Sequence, residues 1–283
     1  MTPEGIMAYH ARSFAPAARF LPPKDRLLIA RLYVLCRTID DIADEIGGPV
    51  GYRQLLKLHE DLWRSDPKSR LAIEASDLFK GRPLGLSALE NLVLTASTDT
   101  DATLIDNSAD LDTYCMGVAG TVGVMVCTMF DIDEAYHAKA ADLGKAMQLT
   151  NICRDVEEDA KNGRRYLPFT LCPHSPEDIA AGVPAAVAAA EAAMAILLDQ
   201  SDDLYVSGRS ALAALPLRLR LAVTSAAAMY EGIGTELRRR NFQPLLGRAI
   251  VPKDRKIILA SRAVIGELVQ KRKWKNGFSD VSS

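Results

Sequence analysis

Apolar residues recur along the chain at intervals of three and four, the period of an α-helix. Within residues 24–46 they fall at Leu28, Leu32, Leu35, Ile39 and Ile42. That spacing predicts one long helix, closed by Gly47-Gly48-Pro49. Further helices are expected over 52–63, 86–98, 111–130, 135–162, 184–207, 216–240 and 253–272. Gly163, with Pro168 beyond it, stops the helix over 135–162. Strand signals are weak, with no alternating β-branched run and no Asn-Gly turn. No Pro/Ser-rich linker divides the chain. The pattern therefore predicts an all-α, single-domain chain over residues 1–283, with a core over 8–262 and a polar, loose tail over 273–283. Its helices are expected to pack around a central cavity.

Length and composition narrow the class. A chain of 283 residues buries roughly three quarters of its unfolded surface and needs no disulfide or metal staple. Lys+Arg 34 against Asp+Glu 36 leaves a net charge of -2, which excludes a broadly basic nucleic-acid binder. Cys36, Cys115, Cys127, Cys153 and Cys172 form no CxxC pair, so reduced thiols and a cytoplasmic setting are expected. Cys36, Cys115 and Cys153 sit among apolar residues, as small core hydrophobes do. The four histidines show no zinc spacing. The charge-free run 116–130 falls short of the roughly 20 residues of a membrane span. The run 179–198 is mostly alanine and carries Glu191. No transmembrane anchor is expected, and association with a membrane surface stays open.

Two segments carry candidate chemistry. On a helix, Tyr33, Arg37, Asp40 and Asp44 fall at i, i+4, i+7 and i+11 and share one face. Asp40 and Asp44 stand one turn apart and repel, with Asp41 adding a third charge. Carboxylates at a helix C-terminus also oppose its dipole. A solvated acidic helix end is the plain alternative, and a bound cation would remove both objections. The second face holds Gln148, Asn151, Asp155 and Asp159 at i, i+3, i+7 and i+11. It adjoins the apolar residues Leu149, Ile152, Cys153 and Val156. An exposed acidic helix explains Glu157 and Glu158, but not Asn151 and Gln148. Hard oxygen donors on two helices suit Mg²⁺ bridging to a diphosphate. Arg37, Arg154, Arg164 and Arg165 stand near enough in sequence to grip phosphate oxygens, with surface salt bridging as the alternative for the last two.

The segments Arg37-Thr-Ile-Asp-Asp-Ile-Ala-Asp44 and Gln148-Leu-Thr-Asn-Ile-Cys-Arg-Asp-Val-Glu-Glu-Asp159 resemble the two aspartate-rich signatures of squalene and phytoene synthases. So do Gly163-Arg-Arg-Tyr-Leu-Pro168, Tyr114-Cys-Met-Gly-Val-Ala-Gly-Thr-Val-Gly123, and His10-Ala-Arg-Ser-Phe14 followed by Phe20-Leu-Pro22. The likeness runs in order from about residue 8 to about residue 262. It implies the isoprenoid-synthase helical fold and head-to-head joining of two allylic prenyl diphosphates through a cyclopropyl diphosphate. By motif, Asp40, Asp44, Asn151, Asp155 and Asp159 would hold Mg²⁺, with Mn²⁺ as a substitute. Asp40, Asp44, Asp155, Asp159, Tyr33 and Arg37 form the implied catalytic set. His10, Arg12, Ser13, Tyr33, Arg37, Gln148, Arg154, Arg164, Tyr166, Tyr230 and Arg248 would contact substrate. Val118, Ala119, Val122 and Gly123 would line the prenyl cavity. The rings of Phe14, Tyr33 and Tyr230 would face the carbocation.

Where many relatives have Tyr-Cys-Tyr, this chain has Tyr114-Cys115-Met116, which removes one tyrosine. The run 13–22, the 117–123 stretch and the lack of a C-terminal anchor favour the bacterial phytoene branch. That branch joins two geranylgeranyl diphosphates. The alternative is a bacterial squalene or presqualene diphosphate synthase taking farnesyl diphosphate, with NADPH needed only for squalene. A terpene cyclase, a chain-elongating synthase and a non-catalytic assembly factor are the remaining readings. The alanine-rich region 179–228 suits either close helix packing or room for a prenyl chain.

Overall fold

The structure is a computed structural model that describes residues 1–11 and 14–277. Arg12 and Ser13, and the side chain of Phe14, lie outside the described residues, so the roles expected of them have no structural account. The chain folds as α1 (Pro3–His10), α2 (Phe14–Ala18), α3 (Pro23–Asp41), α4 (Gly48–Leu62), α5 (Arg70–Leu78), α6 (Pro83–Thr98) and α7 (Ser108–Cys115). It continues through α8 (Thr121–Met129), α9 (His137–Lys161), α10 (Pro176–Ala180), α11 (Pro184–Arg209), α12 (Leu217–Arg239) and α13 (Lys253–Gly277). Among the described residues there is no strand, only an isolated bridge between Leu104 and Arg165. The all-α expectation holds.

Three expected boundaries change. The helix over 24–46 is α3 followed by a π-helical turn at Ile42–Ile46, and the helix over 111–130 is α7 and α8 joined by a π-helical turn at Met116–Gly120. Residues Lys273 to Gly277 continue α13 rather than forming a loose tail. The short helices α1, α5 and α10 have side-chain caps from Thr2, Ser69 and Ser175 that the apolar period does not reveal.

Helix α9 is the hub. Its apolar stripe of Leu149, Ile152, Cys153 and Val156 packs on Ala186, Ala190, Ala193, Met194 and Leu197 of α11, all buried. The alanines let the two helices approach closely, so this stretch of α11 is packing surface. A second cluster joins Leu32, Leu35 and Ile39 of α3 with Leu55 and Leu58 of α4, Leu89, Leu92 and Val93 of α6, and Met125 and Met129 of α8.

The glycines of the third motif serve contact. A Cβ on Gly117 would lie 2.7 Å from Thr95 Cβ on α6. A Cβ on Gly123 would lie 2.6 Å from the Ala140 carbonyl carbon of α9, and closer still to its oxygen. A Cβ on Gly144 would lie 2.7 Å from the Ala119 carbonyl carbon. The backbones of α8 and α9 therefore touch along this seam. The run Ser108–Met129 is long and apolar enough, by length and composition, to cross a membrane. Here it carries a π turn and packs between α6 and α9.

Candidate active site

The first acidic face forms where α3 gives way to the π turn. The Gly47 N–H donates to the Ile42 carbonyl five residues back, at 3.1 Å. Gly47 then turns the chain with φ +56°. The wider turn moves Asp44 off the regular one-turn spacing from Asp40. Arg37 pairs with Asp41 at 2.7 Å. Asp40 is exposed to solvent, yet surrounding protein and the nearby Asp44 charge push its carboxyl up to about 7.

The second face lies on α9. Asp155 accepts from Arg154 Nε at 2.8 Å and Nη2 at 2.5 Å, and Arg248 Nε approaches it at 3.0 Å. Burial, and then the charge of Asp155, push the Asp159 carboxyl up to about 7. Asn151 Oδ1 is buried and accepts no hydrogen bond from any described residue. Thr150 faces the other way, its hydroxyl within 3.2 Å of Ser201 Oγ and Tyr205 Oη. Beside Asp155 opens a cleft of about 370 Å³, lined by Arg154, Asp155, Glu157, Glu158, Lys161, Asn162 and Arg248.

Arg164 ties the two faces together. Its Nη1 meets Asp44 Oδ1 at 2.6 Å, across 120 residues of sequence, and its Nη2 donates to the Asp99 carbonyl at 3.3 Å. Asp99 is a site residue that sequence motifs do not mark. It is buried, and burial pushes its carboxyl up against the opposing pull of three hydroxyl donors. Tyr114 Oη donates to it at 2.8 Å, Tyr166 Oη at 2.8 Å, and Thr103 also donates. The Tyr114 and Tyr166 rings stack with centroids 5.0 Å apart. Tyr166 thus positions Asp99 and, through it, Arg164.

Arg165 corrects the expectation of a phosphate grip. It is buried, and its guanidinium donates to the carbonyls of Leu167, His174 and Ile105 at 3.0–3.1 Å. With three backbone acceptors occupied, it braces the loop after α9.

Among the described residues, no three His, Cys, Asp or Glu side chains converge tightly enough to hold a metal by themselves. The donors nevertheless fit a hard divalent cation. They are all oxygen, one of them is a buried amide oxygen with no partner among the described residues, and Arg37 near Asp40 and Arg164 near Asp159 only partly offset the burial and like charge that oppose ionisation. Mg²⁺ takes few protein ligands and completes its shell with water and phosphate oxygens.

Residues 7–255 match the squalene/phytoene synthase family. The chain belongs to that family. A phytoene synthase from Rhodobacter capsulatus is 30% identical, over 89% of this chain and 77% of its own. A 4,4'-diapophytoene synthase from Staphylococcus haemolyticus is 30% identical, over 89% of this chain and 91% of its own. The crystal structure of a dehydrosqualene synthase in complex with ligand matches with a TM-score of 0.80 at 27% identity, covering 95% of each chain. The protein is a prenyltransferase of this type.

The remaining expected residues of this synthase divide by position. Tyr33 on α3 and Tyr230 on α12 are half-buried, and burial pushes both phenols up. Each feels an arginine, Tyr33 that of Arg37 and Tyr230 those of Arg154 and Arg248. Gln148 is half-buried, and its side chain makes no hydrogen bond among the described residues. His10 is exposed at the last turn of α1, its ring edge-on to Tyr9 at 4.8 Å. Val118 and Val122 are half-buried, and Val122 packs against the second core cluster. Gly123 and the Ala119 backbone abut α9, which sets the helix spacing there.

Proposed function

We propose that this synthase joins two geranylgeranyl diphosphates head to head, through a cyclopropyl diphosphate, and releases phytoene. The observation that carries the reading is the pair of carboxyls at Asp40 and Asp159. They sit on separate helices, both are raised to about 7, and Arg164 couples the two acidic segments. Such an arrangement is unstable alone and complementary to a metal diphosphate. Names among the relatives favour the phytoene product.

Asp40, Asp44, Asn151, Asp155 and Asp159 would hold Mg²⁺, which supplies Lewis-acid stabilisation of the departing diphosphate. Arg154, Arg164 and Arg248 stand beside these carboxylates and donate to diphosphate oxygens as charge gathers on the leaving group. Tyr33 and Tyr230 present ring faces to the carbocation, a contribution of about 0.5–2 kcal/mol each. The apolar wall excludes water, which would quench that cation.

The test is incubation with geranylgeranyl or farnesyl diphosphate and Mg²⁺, with and without NADPH, with hydrocarbons read by mass spectrometry. Phytoene formed independently of NADPH is expected. Asp40→Ala and Asp155→Ala should abolish turnover while the helical circular dichroism stays unchanged. Normal product from both variants would refute the site. The structural likeness to a dehydrosqualene synthase favours a second reading, in which farnesyl diphosphate is the substrate. Exclusive turnover of that shorter substrate would establish it.

A further inference from the structure

The segment 241–252, between α12 and α13, brings Arg248 to the site. Arg248 Nε lies 3.0 Å from Asp155 Oδ1, and its Nη2 donates to Oδ2 at 3.3 Å. Among the described residues, 244–251 make no backbone–backbone hydrogen bond. Asn241 and Phe242 open the segment with φ +52° and +58°, a region that residues with a side chain seldom occupy. An irregular stretch with no ladder of its own takes its position from side chains elsewhere in the protein.

Gly247, the residue before Arg248, is held at both of its backbone groups. Its N–H donates to Glu157 Oε2 on α9 at 3.0 Å, across 90 residues of sequence. Its carbonyl accepts from Arg240 Nη1 at 3.4 Å. Arg240 is itself steadied by the buried Glu236, with Nε 3.2 Å from Oε1. Gly247 makes this turn at φ +70°, where glycine carries no steric penalty. Lys161, one turn along α9, donates to Glu157 Oε1 at 2.5 Å and leaves Oε2 for Gly247.

Glu157 and Glu158 read alike in sequence, as a solvated acidic pair, and the fold separates them. Glu158 is exposed, whereas Glu157 is partly buried with both oxygens engaged. Helix α9 therefore carries, two residues apart, the carboxylate that Arg248 meets and the carboxylate that fixes the backbone beside Arg248. One rigid element holds both ends of the contact and so sets the reach of the arginine.

We propose that Glu157 is a positioning residue for the reaction, holding the Gly247 N–H so that Arg248 stands ready at the diphosphate. The inference rests on the reading of Arg248 as a diphosphate donor. An arginine placed in advance binds phosphate oxygens without first ordering the segment that carries it, and that ordering is a cost of binding. Glu157 acts through Arg248, so its effect vanishes when Arg248 is absent.

The experiment combines hydrogen–deuterium exchange of the full chain with calorimetric titration by inorganic diphosphate in the presence of Mg²⁺. In Glu157→Ala, exchange over 241–252 should quicken by at least about fivefold, with the rest of α9 unchanged. Affinity for diphosphate should fall roughly five- to tenfold. Glu157→Gln keeps an oxygen for the Gly247 N–H and should recover most of both losses. Arg248→Ala should weaken diphosphate by more than about tenfold. Glu157→Ala combined with Arg248→Ala should lose no more than Arg248→Ala alone. Unchanged exchange over 241–252 in Glu157→Ala overturns the proposal. So do quickened exchange along all of α9, losses that multiply in the double variant, or a Glu157→Gln as weak as Glu157→Ala. Wild-type affinity in Arg248→Ala would overturn the reading of Arg248 as a diphosphate donor, and this inference with it.

Discussion

Replacing Asp159 with asparagine should make the metal-free protein more stable, and by an amount that depends on pH. The carboxyl titrates at 3.8 when unperturbed and near 7 in the folded chain, chiefly from burial and then from Asp155. As pH climbs from about 4 to about 7, the unfolded chain gives up this proton while the folded chain keeps it. Folded stability therefore falls across that window and stays lowered above it. Taken at full strength, the displacement corresponds to about 4 kcal/mol. Asp159 is only partly buried, so solvent screening leaves roughly 1–2 kcal/mol. Asparagine keeps the shape and cannot ionise. Thermal melts should place Asp159→Asn roughly 2–6 °C above wild type near pH 8. The gap should shrink as pH falls toward about 4. Mg²⁺ with a prenyl diphosphate analogue should stabilise wild type more than the variant, since the carboxylate is then compensated. Turnover should fall in the variant. A melting gap that is absent, or flat across pH, would refute the assignment of Asp159 as a carboxylate that Arg164 compensates only in part.

Gly123→Ala drives a methyl into the Ala140 carbonyl, so it should cost about 3 kcal/mol and lower the melting temperature by roughly 5–10 °C. Tyr166→Phe removes a buried hydrogen bond to Asp99. It should cost about 1 kcal/mol in a denaturant melt and lower kcat/KM through Arg164. Burial raises the thiols of Cys115, to about 12, and Cys127, to about 11, and raises Cys153 as well. Iodoacetamide near pH 8 should leave these three unlabelled in the native chain and label them after denaturation, with mass spectrometry as the readout.

The helices with a long apolar period were legible, because the stripe that buries them is also what the eye reads in the sequence. Helices α3, α9, α11 and α12 show this directly. Helix α5 was not legible, because nine residues carry too little periodicity, and its Ser69 cap is one serine among many. The site divides in the same way. Both aspartate faces were visible as spacing. Asp99 was not, because its partners Thr103, Tyr114 and Tyr166 meet it only through folding. Arg164 and Arg165 are neighbours of one chemistry, yet one turns to Asp44 and the other into the protein. That choice depends on where Leu104 and Ile105 pass, and no local pattern encodes it. Gly123 showed a need for smallness without showing that the need comes from α9.

The π turn at Ile42–Ile46 has an evolutionary corollary. Such a turn is what an α-helix becomes when one residue is inserted into it. Delete one residue there and the helix closes regularly, while everything beyond rotates by about 100°. Asp44 would swing away from Arg164, and Gly47 would no longer direct α4 against α6. The ordinary tolerance of a helix end for gaining or losing a residue is therefore withdrawn at this point. Between Asp41 and Gly47, chain length itself is under constraint, whatever side chains fill the interval.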